Sequence, residues 1–314
     1  MQTVFLKAWL AIGAFVGAVL SSTAAAGTFS YDIFDLPGAT HTYAFGINEQ
    51  GDVVGYGQTA GPTAGFKRSG GAFQSLGDLR PFDINSAGTV VGLTGSNGFL
   101  TTSGGVPDTS GPPGSTYWVP LGINDLGQIS GYMHTATQTG LGFVWDGTTL
   151  ATFTLPPAFP PSGAVGPQIR NVNSHGQMVG TYLVGTVPPI ETRAFFYDTG
   201  TFSDFSYPGG SETQLFGLNN PGDVVGIATV NGNEIGFLRT ANGTFTQIDI
   251  PGGSSVRAED INDRGQIVGY FFDGTRSHGF VATPAVPEPS TYGMLLAGLG
   301  LLGFIARRRK QDAA

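Results

Sequence analysis

INEQGDVVG at Ile47–Gly55 returns five more times: INSAGTVVG at Ile84–Gly92, INDLGQISG at Ile123–Gly131, VNSHGQMVG at Val172–Gly180, LNNPGDVVG at Leu218–Gly226 and INDRGQIVG at Ile261–Gly269. Every copy keeps one Asn and two Gly in the same frame. The asparagines Asn48, Asn85, Asn124, Asn173, Asn219 and Asn262 lie 37, 39, 49, 46 and 43 residues apart, a period that belongs to propellers and solenoids. The motif has the chemistry of a hairpin. An Asn side chain bonds the backbone two residues on, two residues make a type I turn, and a Gly in the left-handed region forms a bulge before the second strand. The turn glycines are Gly51, Gly88, Gly127, Gly176, Gly222 and Gly265. In the fifth copy Pro221 stands where type I geometry disfavours proline, which predicts a variant turn there.

A small residue followed by Phe comes after each turn, at Gly65-Phe66, Gly98-Phe99, Gly142-Phe143, Ala194-Phe195, Gly236-Phe237 and Gly279-Phe280. The small residue admits a close neighbour and the Phe fills the space between sheets. A further strand signal follows at Phe73, Val106, Leu150, Phe202 and Phe245, so each unit holds four short strands. The sixth unit lacks that last strand. Its counterpart stands at the other end, where GTFSYDIFDLPG at Gly27–Gly38 matches GTFTQIDIPGG at Gly243–Gly253. A displaced strand of this kind closes a ring and removes two exposed edges. The expectation is an all-β, six-bladed β-propeller closed by an N-terminal strand. The alternative, a linear β-solenoid, calls for polar capping units instead.

The repeats resemble the extracellular HAF repeats, a bacterial family of about forty residues per unit in which a small-Phe strand precedes a G-I-N-x-x-G-x-V-V-G hairpin. The resemblance spans Thr28 to Thr283 and is weaker after the Phe, where only Trp145 gives a Phe-x-Trp pair. It implies an extracellular β-rich body and no particular reaction.

Composition agrees with a β body: 51 Gly and 20 Pro among 314 residues, with 11% charged, suits many tight turns and few helices. With no cysteine there is no disulfide, thiolate metal site or cysteine nucleophile. Between Gly27 and Val286 nine basic side chains face twenty acidic ones, and no basic patch with interleaved aromatics occurs, which argues against nucleic acid as a partner.

The ends read differently. Residues 1–26 have the order of a signal peptide, with Lys7, the apolar run Ala8–Leu20 and the small residues Ala24-Ala25-Ala26. The body is expected over 27–283 and a proline-rich linker over 284–292, holding Val286, Pro287, Glu288 and Pro289. A hydrophobic helix and basic tail follow over 293–314, ending in Arg307, Arg308, Arg309 and Lys310. The prolines keep Glu288 extended for an enzyme cleft, the apolar run enters the bilayer, and the cations stay cytoplasmic. One hydrophobic helix is therefore expected at each end. The C-terminal arrangement closely resembles the PEP-CTERM sorting domain of Gram-negative bacteria, which the membrane peptidase exosortase recognises. The resemblance implies a transient inner-membrane anchor, processing by exosortase, and a destination at the outer surface or in an extracellular matrix.

Catalytic signatures are sparse. The histidines, at 41, 134, 175 and 278, have no metal-binding spacing, and neither a G-x-S-x-G elbow nor a phosphate-cradling glycine loop occurs. Asp260 to Gly265 has the outline of a calcium loop, but Phe271 replaces the bidentate Glu, and Gly46, Gly122, Asn171 and Gly217 occupy the matching first position in other copies. No cofactor is implied. The leading expectation is a non-catalytic surface or matrix platform whose loops bind exopolysaccharide or an envelope protein. The alternative is an extracellular glycosidase or lyase using a pair of carboxylates on a propeller face.

Overall fold

The computed structural model describes residues 29–101, 107–156, 164–185 and 190–285. The expected signal peptide, both terminal helices, the residues of the Val286–Pro289 motif and the basic tail lie outside the described residues. Tyr31–Thr283 forms one compact unit, in which the strands make six four-stranded antiparallel sheets.

The innermost strands of blades one to six are His41–Ile47, Arg80–Ile84, Ser115–Ile123, Ala164–Val172, Thr213–Leu218 and Ser255–Ile261. The second strands are Val53–Gln58, Val90–Thr94, Ile129–Thr135, Met178–Val184, Val224–Val230 and Ile267–Phe272. The third are Ala64–Ser69, Asn97–Thr101, Leu141–Trp145, Glu191–Asp198, Asn233–Arg239 and Ser277–Pro284. Four of the outer strands follow in sequence, as do the two residues Pro107–Asp108 in blade two, but in blade six the outer strand is Phe29–Phe34, hydrogen-bonded beside Ser277–Pro284. Tertiary structure thus uses the displaced segment as the closing strand. The third strand of that blade runs through Pro284, one residue past the expected end of the body.

The core lies between blades. Phe66, Phe99, Phe143, Phe195, Phe237 and Phe280 are all fully buried, and one apolar cluster joins Val268 and Val281 of blade six to Ala44, Ile47 and Phe66 of blade one. The small residue before each Phe makes room for a neighbour. A Cβ added at Gly98 would stand 2.7 Å from the Trp118 ring, and one at Gly279 would stand 2.6 Å from the Phe34 ring. Burying a Phe contributes roughly 1.5–3 kcal/mol, a gain repeated at six equivalent positions around the ring.

All six turns have one geometry. The N–H of Gly51 donates to the Asn48 carbonyl at 3.0 Å, Asn48 N–H donates to the Asp52 carbonyl at 3.1 Å, and Gly51 has φ +83°. The fifth turn corrects the sequence expectation. Gly222 N–H still donates to the Asn219 carbonyl at 3.2 Å, with φ +91° at Gly222. Pro221 lacks an N–H, so Asn219 loses only the side-chain bond to the residue two positions on and keeps the one from Asp223 N–H, at 2.8 Å.

Candidate functional site

The second glycine of each motif sets up the site. A Cβ on Gly55, Gly92, Gly131, Gly180, Gly226 or Gly269 would collide with the carbonyl oxygen of Tyr43, Arg80, Val119, Gln168, Gln214 or Arg257, respectively, on the paired inner strand. Just beyond these contacts every inner strand carries a β-bulge, with register shifts at Ala44/Gly46, Pro81/Asp83, Pro120/Gly122, Ile169/Asn171, Leu215/Gly217 and Ala258/Asp260. A bulge inserts one unpaired residue and re-aims its neighbours. Six aligned bulges sort the inner strands into layers around one axis.

The layer at the turns is a closed cycle. Asn48 Nδ2 donates to the Asn85 carbonyl at 3.3 Å, Asn85 to that of Asn124 at 3.2 Å, and Asn124 to that of Asn173 at 3.2 Å. Asn173 then donates to the Asn219 carbonyl at 3.1 Å, Asn219 to that of Asn262 at 3.2 Å, and Asn262 back to that of Asn48 at 3.0 Å. Each Asn therefore works twice, its Oδ1 accepting within its own turn and its Nδ2 stitching to the next blade. Local reading of the motif finds only the first role.

Above the asparagines lie Ile47, Ile84, Ile123, Val172, Leu218 and Ile261, and above those the sequence alternates Gly46, Asp83, Gly122, Asn171, Gly217, Asp260. Polar residues from these layers and the turns line a cavity of about 60 Å³. The alternation is steric, because a Cβ on Gly46 would come within 2.5 Å of Asp83 Cα and one on Gly217 within 2.7 Å of Asp260 Cα. Asp83 accepts from the N–H groups of Ile84 and Ile123, both at 2.7 Å. Asp260 accepts from Ile47 N–H at 3.0 Å and from Asn171 Nδ2 at 3.3 Å. The two carboxyls face the same small cavity. Burial pushes Asp83 well above the usual carboxylate range, with the Asp260 charge adding to the rise, and burial pushes Asp260 to about 7. Like charges facing one another in a buried site disfavour ionisation of both carboxyls at once. Asp260 is thus a buried strand residue, not the first ligand of a calcium loop.

The bulged residues themselves are Phe45, Phe82, Leu121, Arg170, Phe216 and Glu259, which range from aromatic to cationic and acidic. Together with residues of the second strands they make an aromatic and charged mouth. Tyr43 lies edge-on to Tyr270 at 4.9 Å between centroids, Phe45 stacks on Tyr56 at 5.4 Å and meets Phe82 at 5.7 Å. Arg170 and Arg257 both stand over Phe216, at 5.2 and 5.1 Å, and Arg80 over Tyr56 at 5.8 Å. Arg257 is ion-paired to Glu234 at 3.0 Å and Glu259 at 3.1 Å. Burial pulls its guanidinium down, but Glu259, Tyr270 and Glu234 outweigh this and leave it above its ordinary value. Burial raises the hydroxyls of Tyr56, Tyr132 and Tyr270, that of Tyr132 to about 12 with help from a hydrogen bond to Tyr117, so all three remain neutral donors. Rings for stacking, hydroxyl donors and guanidinium forks are the groups that hold sugars and anions.

Of the residues singled out in the sequence, the six Asn and six turn Gly gather at the opposite end of the axis from this mouth, and His175 is exposed in its turn. The aromatic and arginine residues of the mouth were not among them. The available signal was a column comparison of the copies: the position before each alternating Gly/Asp/Asn varies from Phe to Arg and Glu, as do several other columns, so sequence alone did not single it out.

These features define a six-bladed β-propeller with buried carboxyls on its axis and a chemically varied mouth. Residues 285–310 match the PEP-CTERM protein-sorting motif, which implies export and sorting to the cell surface. No curated protein matches the chain in sequence. Among solved structures, the chain is similar to a catalytically inactive virginiamycin B lyase from Staphylococcus aureus, at 13% identity and TM-score 0.49, covering 82% of this chain and 100% of that one. It is also similar to a streptogramin B lyase at 14% identity and TM-score 0.45, covering 83% and 88% of the two chains. A gluconolactonase from Xanthomonas campestris is similar at 13% identity and TM-score 0.47, covering 78% and 87%.

Proposed function

We propose that this is an exported, exosortase-processed surface or matrix protein whose propeller is a non-catalytic glycan-binding platform, with the ligand held at the mouth of Tyr43, Phe45, Tyr56, Arg170, Arg257 and Tyr270. In this reading residues 1–26 are a signal peptide, Glu288 and its flanking prolines are the exosortase target, Arg307–Lys310 hold the tail on the cytoplasmic side, and the repeats belong with the HAF type. The observation that carries the reading is the make-up of the layer at the mouth: at the bulged position the repeats present Phe, Phe, Leu, Arg, Phe and Glu, with Tyr43, Tyr56, Arg257 and Tyr270 beside them. Partly exposed aromatic rings beside fixed arginines suit sugar faces and their substituents.

The enzymatic alternative needs two carboxyls that reach a substrate. Asp83 and Asp260 are 3% and 6% exposed and already bonded to backbone N–H groups, while Glu234 and Glu259 are committed to Arg257. This arrangement favours binding over glycoside chemistry. The test is sedimentation of the secreted protein with exopolysaccharide purified from the same cells, with envelope protein fractions in parallel. Retention by the polysaccharide and its loss in Tyr270→Ala is the expected result. No affinity for any envelope glycan, or degradation of the glycan during the assay, overturns the reading.

A further inference from the structure

Arg170 is the anomaly of the mouth. It occupies the bulged position of the fourth blade, and among the described residues its Nε has no hydrogen-bond partner and its head no ion pair. Its neighbour Arg257 takes both nearby carboxylates, Glu234 and Glu259, at 3.0 and 3.1 Å. The Arg170 guanidinium lies instead over the Phe216 ring at 5.2 Å. Burial lowers its proton affinity, Glu259 opposes this only from a distance, and the like charge of Arg257 adds to the cost. Arg170 is partly exposed with its Nε shielded from solvent, and a guanidinium that has lost part of its water and gained no anion is destabilising. Its retention at the centre of a stacking surface is explained by a ligand that supplies the anion.

We propose that the ligand of this mouth is an acidic glycan, one carrying carboxylate or sulfate groups, and that Arg170 is the residue that receives the anion while Tyr270, Tyr43 and Phe45 offer rings to the sugar. The inference rests on the glycan-binding reading and narrows it. The fork of an arginine matches a carboxylate or sulfate with two parallel bonds, and Arg257, held by Glu234 and Glu259, leaves Arg170 as the cation at the mouth without a carboxylate partner among the described residues.

The experiment is titration calorimetry on the mature secreted chain with four ligands: tetragalacturonate, a sulfated oligosaccharide, cellotetraose and oligoglutamate. Arg170→Met and Arg170→Lys variants are compared, and thermal melting is recorded for each. The acidic sugars are expected to bind at least about tenfold more tightly than cellotetraose, the margin of a charge-assisted bond. Arg170→Met is expected to bring them down to the neutral level while melting at or above the wild-type temperature. Arg170→Lys keeps the charge and loses the fork, so it retains part of the preference. Preference for galacturonate over the sulfated sugar, or the reverse, identifies the source of the anion. Equal binding of acidic and neutral sugars, unchanged in Arg170→Met, overturns this inference and leaves glycan binding standing. Binding of oligoglutamate alone overturns the glycan part. A lower melting temperature for both variants shows a structural cation and overturns the role of Arg170. No binding to any sugar overturns the functional reading itself.

Discussion

At the residue scale the axial carboxyls are the sharpest case of a side chain whose chemistry is set by its surroundings. Asp260 titrates far above an ordinary carboxylate because burial disfavours its charge, and its partner Asp83 is likewise raised by burial and by the Asp260 charge. The folded state therefore binds more protons than the unfolded chain between the ordinary carboxylate range and about pH 7. Stability contributed by this pair is fully present below the unfolded pKa and is lost as pH rises through the folded one. Melting temperature is expected to fall between pH 5 and 8 in the wild type. Asp260→Asn supplies a permanent amide in place of one titrating carboxyl, and is expected to flatten that fall and to melt higher than wild type at pH 8. Thermal scans across this range check it, and an unchanged slope in the variant removes the axial pair as its cause. The pair was hidden in the sequence because its members come from the second and sixth repeats. Taken singly, each looks like an ordinary acid in an acidic protein.

At the scale of elements, the hairpin is where sequence and structure agree most closely. Turn type, the Gly–Phe pairing and the four-strand unit were legible because each is a local pattern repeated six times, so chance matches cancel. The bulge was not legible. It adds one residue to a strand whose inward face is polar and mixed near the axis, and alternation alone does not reveal a slipped register there. Nor was the second role of the asparagines, which needs neighbouring turns to meet in space. Asn124 separates the two roles experimentally. Asn124→Asp keeps acceptors for the N–H groups of Leu126 and Gln128 but loses the Nδ2 donor to the Asn173 carbonyl and to Gln128 Oε1; the Gln128 amide can turn its Nε2 inward, whereas the Asn173 carbonyl is left facing an oxygen. The expected cost is about 1–3 kcal/mol at neutral pH, partly restored in acid when the new carboxyl regains a proton. Urea titrations at pH 7 and pH 4 measure it, and equal losses at both contradict the stitching role.

At the scale of the whole molecule, the seam between blades six and one is bonded as the other junctions are. Asn262 and Asp263 reach Asn48 and Glu49, Ile47 N–H reaches Asp260, and Ser277 N–H donates to His41 Nδ1 at 3.0 Å. Beyond the closing strand, Asp35 meets both Arg276 at 2.8 Å and His278 at 2.9 Å. Removing residues 29–34 leaves Ser277–Pro284 as an open edge, which invites pairing between molecules. The truncated protein is expected to self-associate and to melt at lower temperature, and a synthetic peptide of residues 28–37 is expected to restore the monomer in proportion to its concentration. Size-exclusion chromatography with and without peptide checks this, and a stable monomer without peptide contradicts closure by this strand. The seam also has a bearing on timing. A polypeptide threading through a membrane with its first residues leading exposes Phe29–Phe34 early and Ser277–Pro284 almost last, so the ring's final latch engages only as the sorting tag is arriving behind it. Completion of the body and delivery of the address label become nearly one event, and a chain cut short in transit has neither.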